Sequence, residues 1–158
     1  MFDIQKFNEI REILEKHSKK GKIIAISKNH PLESVLEAIN KGVYIFGENR
    51  VQEAKAKFID IKQNNPKIEL HLTGPLQSNK VKDALTLFDV FHTIDREKIA
   101  KEFSKYQDML KNKKFFVQIN TGKEQNKSGI YPEDTKDFLL FLKNEINLSI
   151  QGLMCIPP

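Results

Sequence analysis

Short runs of apolar and β-branched residues alternate along this chain with longer segments whose apolar side chains recur every three or four positions. That alternation limits the fold more than any other feature, because strands joined one after another through helices lie parallel in one sheet with right-handed crossovers. The short runs are KIIAIS (22–27), VYIF (43–46), ELHLT (69–73), DVFHT (89–93), KFFVQIN (114–120) and SIQGLMCI (149–156). A leading helix over about 3–18 carries Ile4, Phe7, Ile10 and Leu14 at helical spacing. Between the runs, Leu32, Val35, Leu36 and Ile39 mark one helix and Val51, Ala54, Phe58 and Ile61 the next. Val81, Ala84, Leu85 and Phe88 mark a third, Ile99, Phe103, Tyr106 and Leu110 a fourth, and Phe138, Leu139, Phe141 and Leu142 a fifth. Gly42 fits a helix stop, Pro132 a helix start and Asp95 an N-cap. The expected order is one helix, five βα units and a sixth strand, all in a single domain over 1–158.

Two architectures have this rhythm. A doubly wound sheet holds ligands where the strand order reverses, and a (β/α) barrel holds them at the carboxyl ends of its strands. The polar and glycine residues favour the barrel, because they follow successive strand ends: Ser27-Lys28, Gly47-Glu48-Asn49, Gly74-Pro75, Thr93-Ile94-Asp95, Gln118-Ile119-Asn120 and Met154. No GxGxxG follows the first strand, which counts against a dinucleotide-binding sheet. The expected fold class is therefore α/β, an incomplete TIM-type barrel with about six of eight strands. Its first and sixth strands would be unpaired edges.

Composition narrows the function. The chain has 158 residues, 39% of them apolar and 30% charged, which fits a globular domain rather than a disordered segment. No apolar stretch approaches the ~18 residues of a membrane span, and the N-terminus lacks a signal-peptide pattern, so a cytoplasmic location is expected. The single cysteine, Cys155, excludes an internal disulfide framework and a cysteine zinc cluster. The net charge of +5 permits nucleic-acid contact. Yet only Arg11, Arg50 and Arg96 are arginines, and the lysines scatter among acidic residues, which argues for a solvated surface over specific nucleic-acid reading.

Few residues stand out for chemistry. Lys28 ends the first buried strand, where a partly desolvated amine could attack an aldehyde and form a Schiff base. Its plain alternative is a strand-end lysine reaching into water. Asn49, in GENRVQE (47–53), could meet a ligand, or Asn49 or Glu48 could cap the following helix. His71 and His92 sit inside strands and read first as hydrogen-bonded interior residues. GPLQSNK (74–80) could hold an anion or simply turn the chain into a helix, and turn chemistry accounts for NKSG (126–129). No Ser-His-Asp order, HxxxH set or paired-carboxylate motif appears, so no catalytic or metal-ligating residue is assigned.

The segments AISKNHP, FGENRVQE, HLTGPLQSNK, HTIDR, QINTGKEQNKSGI and GLMCIPP, in this order and spacing, closely resemble the pyridoxal phosphate homeostasis protein family, which is related to the barrel domain of alanine racemases. The resemblance runs from about Lys22 to the last residue. It implies a barrel that binds pyridoxal 5'-phosphate as a Schiff base on Lys28. Asn49, His71 and Met154 are then expected to bind the cofactor with Lys28, and Asn79 to lie on or near the mouth.

The resemblance further implies a cytoplasmic, non-enzymatic carrier in vitamin B6 homeostasis, with pyridoxal phosphate-dependent enzymes as recipients and no membrane partner. The alternatives are an inactive fragment lacking the phosphate-binding half and a racemase-like enzyme, which needs a second acid/base such as a tyrosine from another domain. Tyr44, Tyr106 and Tyr131 have no racemase-like context. Members of the family continue through two further βα units bearing a serine, an arginine and a phosphate cup. Their absence here suggests a truncated chain without the phosphate-binding half.

Overall fold

The structure, a computed structural model, describes residues 1–18 and 20–158. Helix α1 spans Ile4–His17, and Asp3 caps it by accepting a hydrogen bond from the Lys6 N–H at 2.9 Å. Strands and helices then alternate: β1 (Ala25–Ile26), α2 (Leu32–Asn40), β2 (Ile45–Glu48), α3 (Val51–Asn64), β3 (Glu69–Leu72), α4 (Val81–Leu87), β4 (Val90–Ile94), α5 (Glu97–Ser104), β5 (Lys114–Ile119), α6 (Thr135–Phe141) and β6 (Gly152–Cys155).

All pairings are parallel, and the sheet order is β1-β2-β3-β4-β5-β6. Each strand is laid beside the one before it, with no reversal of direction. A doubly wound sheet must reverse, so the barrel reading holds. Among the described residues β1 pairs only with β2 and β6 only with β5. The result is an open, curled sheet of six of the eight strands a closed barrel has.

The core lies between the outer face of the sheet and the helices. Outward-pointing Phe46, Leu70, Leu72, Phe91, Phe115 and Val117 are each at most 2% exposed. Helix residues Val35, Ala54, Phe58, Ala84, Ile99 and Phe103 cover them. Phe91 is the hub: its ring meets Phe103 edge-on at 5.1 Å and stacks on Phe115 at 5.4 Å. Such pairs add to the burial of the rings themselves.

Several boundaries differ from the sequence reading. β1 is two residues long rather than six, as an edge strand with a ladder on one side only. β2 begins at Ile45, not Val43. Gly42 does stop α2, with φ +86°, but the Val43 N–H still bonds back to the Ala38 carbonyl at 3.0 Å. Gly47 and Glu48 therefore lie inside β2, not beyond it. Asp95 does not cap α5: its carboxylate pairs with the Arg96 guanidinium at 2.6 Å, and Arg96 occupies the N-cap. Pro132 opens a 3-10 turn that leads into α6.

Candidate functional site

Alternation along the strands sends Leu70 and Leu72 to the helices and Glu69, His71 and Thr73 to the inner face. The inner face forms an open trough of about 590 Å³, lined by Lys28, Asn49, Thr73, His92, Phe116 and Met154 and walled by apolar residues including Ile24 and Ile26. Three of the four residues expected at a cofactor, Lys28, Asn49 and Met154, thus border one space although they follow or lie on three different strands. His71 does not border it. It is buried one step deeper, directly beneath His92.

Lys28 sits in the turn after β1, where the His30 N–H bonds the Ser27 carbonyl at 3.1 Å and Asn29 takes φ +60°. Asparagine tolerates that left-handed conformation better than most residues. The Lys28 side chain is exposed at the rim. The partly desolvated amine expected from sequence is not found in this chain, where Lys28 is exposed.

Asn49 follows β2 and accepts a 2.9 Å hydrogen bond at Oδ1 from the Thr73 hydroxyl. Its carbonyl is committed, which leaves the NH2 to donate to a ligand. Asn49 and Glu48 do not cap α3; Arg50 is the N-cap and makes no side-chain capping bond. Gly74 fits against Asn49 because it has no side chain: a Cβ there would come within 2.7 Å of the Asn49 Cα and Cβ. Thr93 then fastens the next strand, donating to the Gly74 carbonyl at 2.8 Å.

Below the trough runs a chain of hydrogen bonds that sequence reasoning did not find. His92 Nε2 lies 2.8 Å from His71 Nδ1, and His71 Nε2 lies 2.9 Å from Glu69 Oε1. An ionised carboxylate only accepts, so the proton on His71 is at Nε2 and its Nδ1 accepts from His92 Nε2–H. His92 is left with an unprotonated Nδ1. Its ring stacks flat on Phe116 at 5.0 Å, with 5° between the planes. Burial, with His71 beside it, pushes the His92 pKa down to about 4. Burial also lowers His71, against the pull of Glu69.

The remaining motifs are structural. GPLQSNK turns through a 3-10 segment at Ser78–Lys80 into α4, and the Leu76 carbonyl takes a 2.7 Å bond from Arg96. Asn79 is not among the trough-lining residues. The NKSG loop is tied to β5 through Asn120, whose Nδ2 donates to the carbonyls of Glu124 and Lys127. Among the described residues no cluster of histidine, cysteine and carboxylate groups could hold a metal ion, and no helix is long and apolar enough to cross a membrane.

A family model described as the alanine racemase N-terminal domain matches residues 4–158. The chain belongs to the alanine racemase N-terminal domain family. Within that family, the pyridoxal phosphate homeostasis protein of Vibrio cholerae is 40% identical over 138 residues, covering 85% of this chain and 58% of its own length. That of Pasteurella multocida is 39% identical over 137 residues, covering 86% of this chain and 59% of its own. The solved structures of PipY from Synechococcus elongatus share 34% identity over 96% of this chain and 70% of theirs. Their TM-scores are 0.82 without pyridoxal phosphate and 0.79 with it bound. An alanine racemase from Clostridium difficile shares the fold at 16% identity and a TM-score of 0.66. The resemblance read from the sequence is borne out. The chain spans just under three fifths of the length of those two curated relatives.

Proposed function

We propose that this chain binds pyridoxal 5'-phosphate in the trough, with Lys28 supplying the amine that captures the aldehyde as a Schiff base. The single observation that carries this reading is the convergence of Lys28, Asn49 and Met154 on one space beside a stacked aromatic pair. The volume lies within the usual range for small-molecule sites. The residues suit the aldehyde-bearing ring: Ile24, Ile26, Phe116 and Met154 offer apolar and polarisable wall, and Asn49 offers a hydrogen-bond donor. Lys28 is the only cation among the lining residues, so a phosphate has no second charged partner in the described trough.

When bound, the cofactor supplies an electrophilic aldehyde on an electron-withdrawing ring. The chain's part is to present the Lys28 amine, orient the ring and let amines from solution exchange with Lys28. The physiological role that follows is storage and delivery of the cofactor to pyridoxal phosphate-dependent enzymes.

The test is titration with pyridoxal phosphate followed by absorbance, borohydride reduction and peptide mass mapping. A pyridoxyl mass on Lys28, lost in Lys28→Ala, is the expected result. Adduct spread evenly over surface lysines would sink the proposal. Alanine racemisation that depends on Lys28 would replace the carrier reading with an enzymatic one.

A further inference from the structure

Among the mostly apolar outward positions on the strands, Glu48 on β2 carries a fully buried carboxylate. Its Oε1 accepts from the Ser27 hydroxyl at 2.7 Å and from the Lys57 ammonium at 2.9 Å, whereas its Oε2 is buried without a hydrogen-bond partner. Both bonds fall on the oxygen that reaches the turn after β1. Lys57, on α3, has a side chain 10% exposed, and its three protons meet three acceptors: Glu48 Oε1, Glu53 Oε1 at 2.8 Å and the Ser27 carbonyl at 2.7 Å. Glu53 in turn accepts the Asn29 backbone N–H at 2.6 Å.

The residues on either side of Lys28 are thereby held by one ionic triad. Ser27 is fixed through its hydroxyl and its carbonyl, and Asn29 through its N–H. Lys28 itself makes no part of the triad. Buried ion triads cost desolvation that well-packed apolar residues do not, so they are weak as stabilising devices. Burial works against the Lys57 ammonium, yet its hydrogen bonds to Glu53 and Glu48 more than offset this and hold its pKa above the ordinary lysine value. The Lys57 hydrogen bond does most to hold the Glu53 carboxyl below its usual range.

We infer that Glu48, Lys57 and Glu53 are positioning residues for Lys28: they lock the 27–29 backbone so that the amine on an otherwise exposed turn is presented to the trough in one arrangement. This rests on the reading of Lys28 as the aldehyde-capturing amine. A side chain on a loose turn loses the orientation that makes an intramolecular encounter efficient, and a small displacement is enough.

The experiment compares the 158-residue chain with Lys57→Met, Lys57→Arg and Glu53→Ala. Glu53→Ala releases Asn29 while Glu48 keeps its Lys57 partner, so it remains informative if Lys57→Met does not fold. Three measurements are made well below the melting temperature of each variant. They are pyridoxal phosphate affinity by absorbance, adduct location by borohydride trapping, and hydrogen exchange of the peptide containing Asn29 without cofactor. Expected are affinities weaker by about tenfold in Glu53→Ala and Lys57→Met, faster exchange at Asn29 in both, and recovery of affinity in Lys57→Arg. A normal Lys28 adduct on the unaltered chain, with affinity within twofold in both loosened variants, overturns the positioning role alone. No Lys28 adduct on the unaltered chain overturns the carrier reading, and the positioning role with it.

Discussion

His92 Nε2 lies 2.8 Å from His71 Nδ1 with the two rings stacked 5.0 Å apart, so an imidazole that lines the trough shares one hydrogen bond with an imidazole beneath it. Both are held neutral, His92 down to about 4 and His71 below its ordinary value, by burial above all. In the unfolded chain each binds a proton near pH ~6.5. Between that pH and about 4 the unfolded state therefore binds more protons, and stability falls as the pH falls. A melting temperature lower by on the order of 5 °C at pH 4.5 than at pH 7 is expected in thermal scans. His92→Phe keeps a ring against Phe116 and removes one titrating group. It costs about 1–3 kcal/mol by leaving His71 Nδ1 without its donor, and it flattens the pH dependence. An unchanged slope in that variant would refute the assignment.

Phe91 is expected to dominate core stability. It is 1% exposed and touches the Phe103 and Phe115 rings, so Phe91→Ala loses burial and leaves a cavity between sheet and α5. A cost of about 3–5 kcal/mol in urea unfolding is expected, with the midpoint moved and the slope little changed.

Much of this scaffold was legible in the sequence because alternation depends only on local order. Strand and helix identities, the helix stop at Gly42 and the barrel-type topology follow from residue spacing. The placement of Lys28, Asn49 and Met154 at strand carboxyl ends also followed from position, whereas their role at a cofactor came only from the family resemblance. The β2 boundary was missed because Val43 is claimed by the α2 terminus through a backbone bond that composition does not reveal. Glu48 was misplaced for the same reason: shifted two residues, β2 carries it inside, where a carboxylate is least expected. The Glu69–His71–His92 chain depends on register between β3 and β4, which joins residues 21 apart in sequence. An inward-facing histidine on each of two successive strands was the signal that could have revealed it.

Gly74→Ala tests the close approach to Asn49. The added methyl would press on the Asn49 backbone, which must shift. A loss of about 1–3 kcal/mol in stability is expected from such overpacking. Pyridoxal phosphate affinity should fall with it, since Asn49 moves with its backbone; unchanged stability and affinity would mean the loop yields freely.

Leu153, on edge strand β6, is 56% exposed, and Ile26 on the opposite edge is 44% exposed. Apolar side chains beside unpaired strand edges favour association between copies. Leu153→Lys is expected to lower concentration-dependent light scattering while leaving the melting temperature within about 2 °C, because an exposed position contributes little to folding. Equal scattering by both proteins would show that this edge is not where association begins.

The sequential strand order has a consequence for how such a chain comes into being. Each strand from β2 to β6 finds a partner in the strand synthesised just before it, so these pairings need no distant segment. Each βα unit can dock on its predecessor while translation continues, and contacts between near neighbours in sequence form faster than distant ones.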